Sequence, residues 1–359
     1  MPGQNQPGLT GQALRRLVGW MPKAELHLHL DGALRVDTAL ELAQTRGVDA
    51  PRTYAGMFAA LVAPESTESQ AALLDAFGLP VSLMQDAEAL ERVTTELVEA
   101  KAADRVRYCE IRWAPMLHTE RGLPLAEGIQ AVVRGARLGS AQTGTEVRLI
   151  CVAVRSHDPA DNVRLAEVAA GFIDEGVVAF DLAGLEDEFP NPLVHRAAFD
   201  AAQAAGMRIT LHAGELHDGG AGVRRALAVN PERIAHGVGA IDDPVLCAEL
   251  RSRGVTLDLC PTSNVQAASV LSLAEHPVAR LHRMGVPVTI STDDPTISDV
   301  TLTEEYLQTM RYTGLTVREL WQINRHSLAA AFLDKPVAQA LTAEFDHWAG
   351  LVPELQPVT

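Results

Sequence analysis

The chain has 359 residues, 47% of them hydrophobic and only 4% aromatic, which suits a large aliphatic core in one or two domains. Acidic residues outnumber basic ones, 46 to 30, and the formal charge of −16 disfavours a nucleic-acid partner while leaving a small neutral ligand open. The start "MPGQNQPGLTGQ" has no leader-like pattern, no run approaches a membrane span, and Cys109, Cys151, Cys247 and Cys260 form no C-x-x-C pair, so the expectation is a cytoplasmic protein with reduced, inert thiols and no membrane partner.

Residues 1–17 read as a flexible N-terminal segment ahead of a domain spanning 18–345, with a loose tail over 346–359. The first strand is "AELHLHL" (24–30), running on into Asp31 and Gly32. Alternation along a strand puts His27, His29 and Asp31 on one face and Leu26, Leu28 and Leu30 on the other. A helical insert follows, over about 35–104, formed by "RVDTALELAQTRG", "SQAALLDAFGLPVSLM" and "DAEALERVTTELVEAKAADR". Long inserts after a barrel strand tend to overhang the active-site mouth.

Further strands are predicted at 106–115, 147–155, 177–184, 207–215, 233–239, 255–264 and 286–295, with alanine- and leucine-rich helical runs between them. Eight such β-then-α units predict a single (β/α)₈ TIM-type barrel, and no G-x-G-x-x-G follows the first strand to suggest a doubly wound sheet.

A barrel presents its working groups at the C-terminal ends of the strands. His27, His29 and Asp31 end strand one, Gly184 ends strand four, and His212 and Glu215 end strand five. His236 ends strand six, and Asp293 and Asp294 end strand eight. Imidazole and carboxylate without thiolate suit Zn²⁺ or a similar ion: His27 and His29 share a face, and His212 with one strand-eight carboxylate could complete the shell. A water on zinc has a pKa near 7, so the deduced chemistry is hydrolytic attack on an electrophilic carbon. Glu215 is placed to exchange a proton with substrate, and His236 and Asp294 to orient the nucleophile. The base-flipping zinc deaminase signature, H-x-E with P-C-x-x-C, is absent.

Read together and in order, "PKAELHLHLDGAL", "DLAG", "LHAGE", "RIAHG", "LCPTSN" and "STDDP" resemble the adenosine and AMP deaminase family of the amidohydrolase superfamily, from about Pro22 to about Leu333. The resemblance implies a (β/α)₈ barrel and one Zn²⁺ per chain, held by His27, His29, His212 and Asp293. The reaction it implies is hydrolytic deamination of adenosine and 2′-deoxyadenosine to a 6-oxo nucleoside and ammonia, in purine salvage. By the same resemblance Glu215 protonates the ring nitrogen, His236 serves as base or electrostatic anchor, and Asp294 orients the nucleophile and touches the purine. His29 also borders the substrate, Gly184 supplies a backbone donor to a purine nitrogen, and Leu73, Leu74 and Phe77 resemble an apolar helix closing over the nucleoside.

Asp31 resembles the ribose 5′-hydroxyl contact of the adenosine branch, against alternatives acting on adenine or aminodeoxyfutalosine; a non-catalytic zinc scaffold is a third reading. The chain departs from the family pattern in "LEDEFP" after Gly184 and "VGAIDDP" after "RIAHG". His118, His157, His195, His217, His276, His282, His326 and His347 read as structural or solvated, with His157 and His217 nearest the rim. Glu110 and Arg112, on one face of strand two, are expected to form an internal ion pair.

Overall fold

The computed structural model describes residues 11–216 and 218–356. Eight parallel strands pair in the order β1 to β8: β1 (Lys23–His29), β2 (Val106–Trp113), β3 (Glu146–Val154), β4 (Val177–Ala183), β5 (Arg208–Ala213), β6 (Arg233–His236), β7 (Thr256–Leu259) and β8 (Val288–Ile290). Past the last residue of β8 the chain bridges back to β1 between Leu28 and Asp293. There the Asp293 N–H donates to the His27 carbonyl (3.1 Å) and the His29 N–H donates to the Asp293 carbonyl (2.7 Å). The sheet thus curls into the expected (β/α)₈ barrel, and its seam runs through three of the residues singled out in the sequence.

The register slips by one residue between Glu25 and Leu28, so alternation along β1 is not strict. Glu25 meets Lys101 of an outer helix at 2.9 Å, while His27 and His29 project into the barrel mouth beside His212.

α1 (Gly11–Trp20) precedes the barrel, and Trp20 packs edge-on against Trp348. Of the segment 1–17 expected to be flexible, residues 1–10 lie outside the described residues and the remainder is helical from Gly11. The tail is likewise held in part: a helix runs from Lys335 to Gly350, and Arg318 donates to the carbonyls of Glu354, Leu355 and Gln356.

The insert is α2 (Val36–Arg46), α3 (Tyr54–Leu61), α4 (Gln70–Leu74), α5 (Gly78–Leu83) and α6 (Ala87–Ala103). α6 lies against the helix Leu125–Thr143, where Gly135 and Gly139 let the two approach closely. Among the described residues no helix is long and apolar enough to cross a membrane.

Barrel interiors are filled by side chains in layers, and here the layer below the mouth is ionic. Glu110 and Arg112 both point inward but do not pair with each other. Arg112 donates to Asp181 at 2.8 Å, whereas Glu110 accepts from Arg233, which also donates to Asp258 at 3.0 Å. The intra-strand pair expected for them fails because β4 and β6 offer partners across the barrel interior. All four cysteines are free and buried, and burial pushes their thiols up, consistent with inert core positions.

Candidate active site

The strands β5 to β8 end sooner than the sequence suggests, and residues at or just beyond their ends carry the chemistry. Gly214, His236 and Asp293 all stand at positive φ (64°, 67° and 62°), which turns the backbone out of the sheet. Gly adopts this region freely, but His and Asp do so at a cost, and such residues collect at functional sites. After β7, Pro261 opens a helix (Pro261–Gln266) instead of extending the strand to 264, since its fixed φ suits the first helical position.

His27, His29, His212 and Asp293 converge at the mouth, with one potential ligand atom from each lying within 4.8 Å of all the others. His29 Nε2 is 3.1 Å from His212 Nε2, and Asp293 Oδ1 is 2.9 Å from His27 Nε2 and 3.5 Å from His29 Nε2. His27 Nδ1 is buried without a hydrogen-bond partner, and its Nε2 faces the Asp293 carboxylate. Burial holds His27 well below the usual histidine range and brings His29 down to about 4, so both stay neutral with lone pairs to offer. Packed neutral imidazoles with unused nitrogens around an ionised carboxylate are the donor set a divalent cation needs, and in kind they fit zinc.

Outer contacts orient these groups. Asp181 lies 3.2 Å from His212 Nδ1 and accepts its proton in a hydrogen bond, leaving Nε2 free to face the mouth. Ser263 Oγ donates to Asp293 Oδ2 at 2.8 Å.

His236 is set by a chain that begins at a backbone donor. The Val278 N–H donates to His276 Nδ1 (3.3 Å), so His276 carries its proton on Nε2 and donates to Asn264 Oδ1 (3.1 Å). Asn264 Nδ2 then donates to His236 Nδ1 (3.0 Å), which leaves the neutral His236 ring with its N–H on Nε2. That Nε2 is 3.7 Å from Glu215 Oε2 and 3.8 Å from Asp293 Oδ2.

Glu215 is buried, and burial together with the nearby Asp293 charge pushes its carboxyl up to about 8, so it keeps its proton at neutral pH. Glu186 of the "LEDEFP" loop accepts the N–H groups of Gly214 (3.0 Å) and Glu215 (3.2 Å), and Gln70 of α4 donates to Glu215 Oε2. The adjacent acids are pushed apart. Burial and the facing Asp293 and Asp31 carboxylates raise Asp294; burial acts on Asp293 most strongly too, but the attraction and hydrogen bond of His27, with the attraction of His236 and His29, together outweigh it and hold Asp293 well below the usual carboxylate range. Asp294 Oδ1 is buried and has no partner. Gly32 makes room for it, since a Cβ there would lie 2.0 Å from that oxygen.

Asp31 is less free than its motif suggests. Its Oδ2 accepts the Ala114 N–H (3.1 Å), and its Oδ1 lies 2.6 Å from His118 Nε2. His118 is fixed at its other nitrogen by the Met84 carbonyl (2.8 Å).

A cavity of about 230 Å³ joins these groups: His29, Asp31, Gly184, His212, Glu215, His236, Asp293 and Asp294 below, and Gln70, Leu73, Leu74 and Phe77 of the insert above. The site residues named from the sequence thus come together, with His27 beneath them. His157 does not line the cavity, and His217 lies outside the described residues. Sequence reasoning missed Gln70, His118, Glu186, Ser263, Asn264 and His276. Ser263 and Asn264 sit inside the quoted "LCPTSN" and Glu186 inside "LEDEFP", while Gln70, His118 and His276 act on residues distant in the chain, which local sequence does not reveal.

A sequence profile of the family described as Adenosine deaminase matches residues 22–348. An adenosine deaminase of Clostridium perfringens is 37% identical over 324 residues, covering 89% of this chain and 97% of the relative. Among solved structures, a zinc-bound amidohydrolase from Burkholderia ambifaria superposes with a TM-score of 0.86 at 28% identity, covering 96% of each chain. An N6-mAMP deaminase from Arabidopsis superposes with a TM-score of 0.81 at 28% identity, covering 92% of this chain and 99% of that one.

Proposed function

The chain belongs to the adenosine deaminase family, and from that premise we propose that it hydrolyses adenosine and 2′-deoxyadenosine to the corresponding 6-oxo nucleoside and ammonia, using one zinc ion. The observation that carries this reading is the meeting, in one cavity, of a metal-ready donor set and a carboxyl that retains its proton at neutral pH. His27, His29, His212 and Asp293 would hold the ion. The chemistry supplied by bound zinc is acidification of water to a pKa of about 7.

The chain's own groups do the rest. Glu215 donates its proton to the ring nitrogen beside C6, which makes that carbon electrophilic. His236, with its hydrogen on Nε2, acts as donor and electrostatic anchor for the attacking oxygen in preference to base. Asp294 orients the nucleophile and touches the purine through its unpartnered Oδ1, and Gly184 offers backbone to a ring nitrogen. Asp31 keeps lone pairs for the ribose 5′-hydroxyl, with His118 and the Ala114 N–H holding the carboxylate still.

Among the described residues lining the cavity none is Lys or Arg, and Asp31 is acidic. A nucleotide phosphate would find no countercharge there, which favours a neutral nucleoside over substrates such as an AMP derivative.

Ammonia release from adenosine, 2′-deoxyadenosine, adenine, aminodeoxyfutalosine and AMP tests the reading: the two nucleosides should lead, and turnover of adenine or AMP ahead of them would overturn it. Glu215→Gln should keep its metal and lose about 10²- to 10⁴-fold in turnover; near-normal activity would remove Glu215 as proton donor.

A further inference from the structure

Gln70 opens α4 in the helical insert, yet its side chain is buried and serves the barrel rim. Its Nε2–H donates to Glu215 Oε2, and its Oε1 accepts the Glu186 N–H at 3.2 Å. Glu186 in turn fixes the backbone of Gly214 and Glu215 through its carboxylate. One amide from the insert is therefore joined both to the proton-bearing carboxyl and to the residue that positions it.

The segment carrying Gln70 is not part of the main core. Ala63, Leu73, Ala267 and Ile297 form a separate small cluster, with Ala76 and Phe77 packed on it. Two backbone bonds tether it, from Ala63 N to Ile297 O (2.8 Å) and from Thr67 N to Gln266 O (2.9 Å). Leu73, Leu74 and Phe77 roof the cavity that a purine must occupy. An element with so few apolar contacts is drawn from the less stable parts of a fold, where moving roofs are found.

We propose that Gln70 is a positioning residue through which closure of α4 over a bound purine sets the direction of the Glu215 O–H. The inference rests on the reading of Glu215 as proton donor. A carboxyl with both oxygens free can carry its hydrogen on either one and rotate about its Cγ–Cδ bond. With Oε2 accepting from Gln70, the hydrogen lies on Oε1 and one direction remains. Lifting the roof removes that constraint, so a ligand that does not seat α4 meets an unaligned acid.

Gln70→Met keeps length and bulk but neither donates nor accepts in this way. With adenosine, kcat should fall about 10- to 100-fold while KM stays within about two-fold. Affinity for 1-deazaadenosine, where C–H replaces the nitrogen that receives the proton, should stay within about two-fold of wild type. Wild type and Glu215→Gln are measured alongside. A wild-type enzyme without deaminase activity, or an active Glu215→Gln, defeats the underlying reading. With those two as expected, an unchanged kcat in Gln70→Met, or a raised KM with weakened 1-deazaadenosine binding, overturns the role of Gln70 alone. If Gln70→Met fails to fold, Gln70→Leu is read by the same measurements.

Discussion

Two of the residues that matter most, His236 and Asp293, hold backbone conformations that neither side chain favours. His236 ends β6 and Asp293 stands just beyond β8 at the bridge to β1, and both side chains face the mouth. A third residue works by having no side chain. Gly32 lies against Asp294, and Gly32→Ala would drive a methyl into its carboxyl oxygen. That substitution should lower kcat/KM about 100-fold while leaving metal content at one per chain, measured by kinetics and elemental analysis; a loss of metal instead would place Gly32 in support of the ligands. The pairing of His residues with acids at strand ends was legible in the sequence because alternation and strand position decide it locally. The holds on those groups were not: Gln70 and Glu215, or His118 and Asp31, meet only through the fold.

At the scale of elements, all eight strands were legible as short apolar, β-branched runs, but their C-terminal limits were not. The strands expected to run through the motif residues stop short of them: β5 ends just before left-handed Gly214, β6 at left-handed His236, β7 before a helix opened by Pro261, and β8 at Ile290, ahead of left-handed Asp293. The insert was legible as helical, though not its division of labour. α4 reaches the chemistry, whereas α6 is cemented to the barrel through the helix Leu125–Thr143. At Gly139 of that helix an added Cβ would stand 2.6 Å from the Val98 Cβ. Gly139→Ala should therefore destabilise the protein by about 1–3 kcal/mol by overpacking, read as a lower denaturant midpoint, with kcat of the folded fraction unchanged.

For the whole molecule, the site shapes stability as well as chemistry. In metal-free protein, burial depresses His29 to about 4 from its ordinary 6.5, and His27 and His236 also fall. Below pH about 6.5 the unfolded chain takes up protons that the folded one refuses. The stability tied to these neutral rings is thus complete above about 6.5 and is lost as pH falls toward 4. Thermal unfolding of chelated protein should show Tm dropping across that window. Adding zinc at pH 7 should raise Tm, because ligand binding to the native state alone stabilises it; an unmoved Tm would mean the donor set does not bind.

The backbone bonds between Asp293 and the pair His27 and His29 have a consequence for assembly. A cation drawing on the first, fifth and eighth strands finds nothing to grip until the sheet has come full circle. It is a clasp on a finished hoop rather than a seed for it, and cutting the hoop at that clasp while rejoining the chain elsewhere would unmake the grip even if every other strand stayed paired.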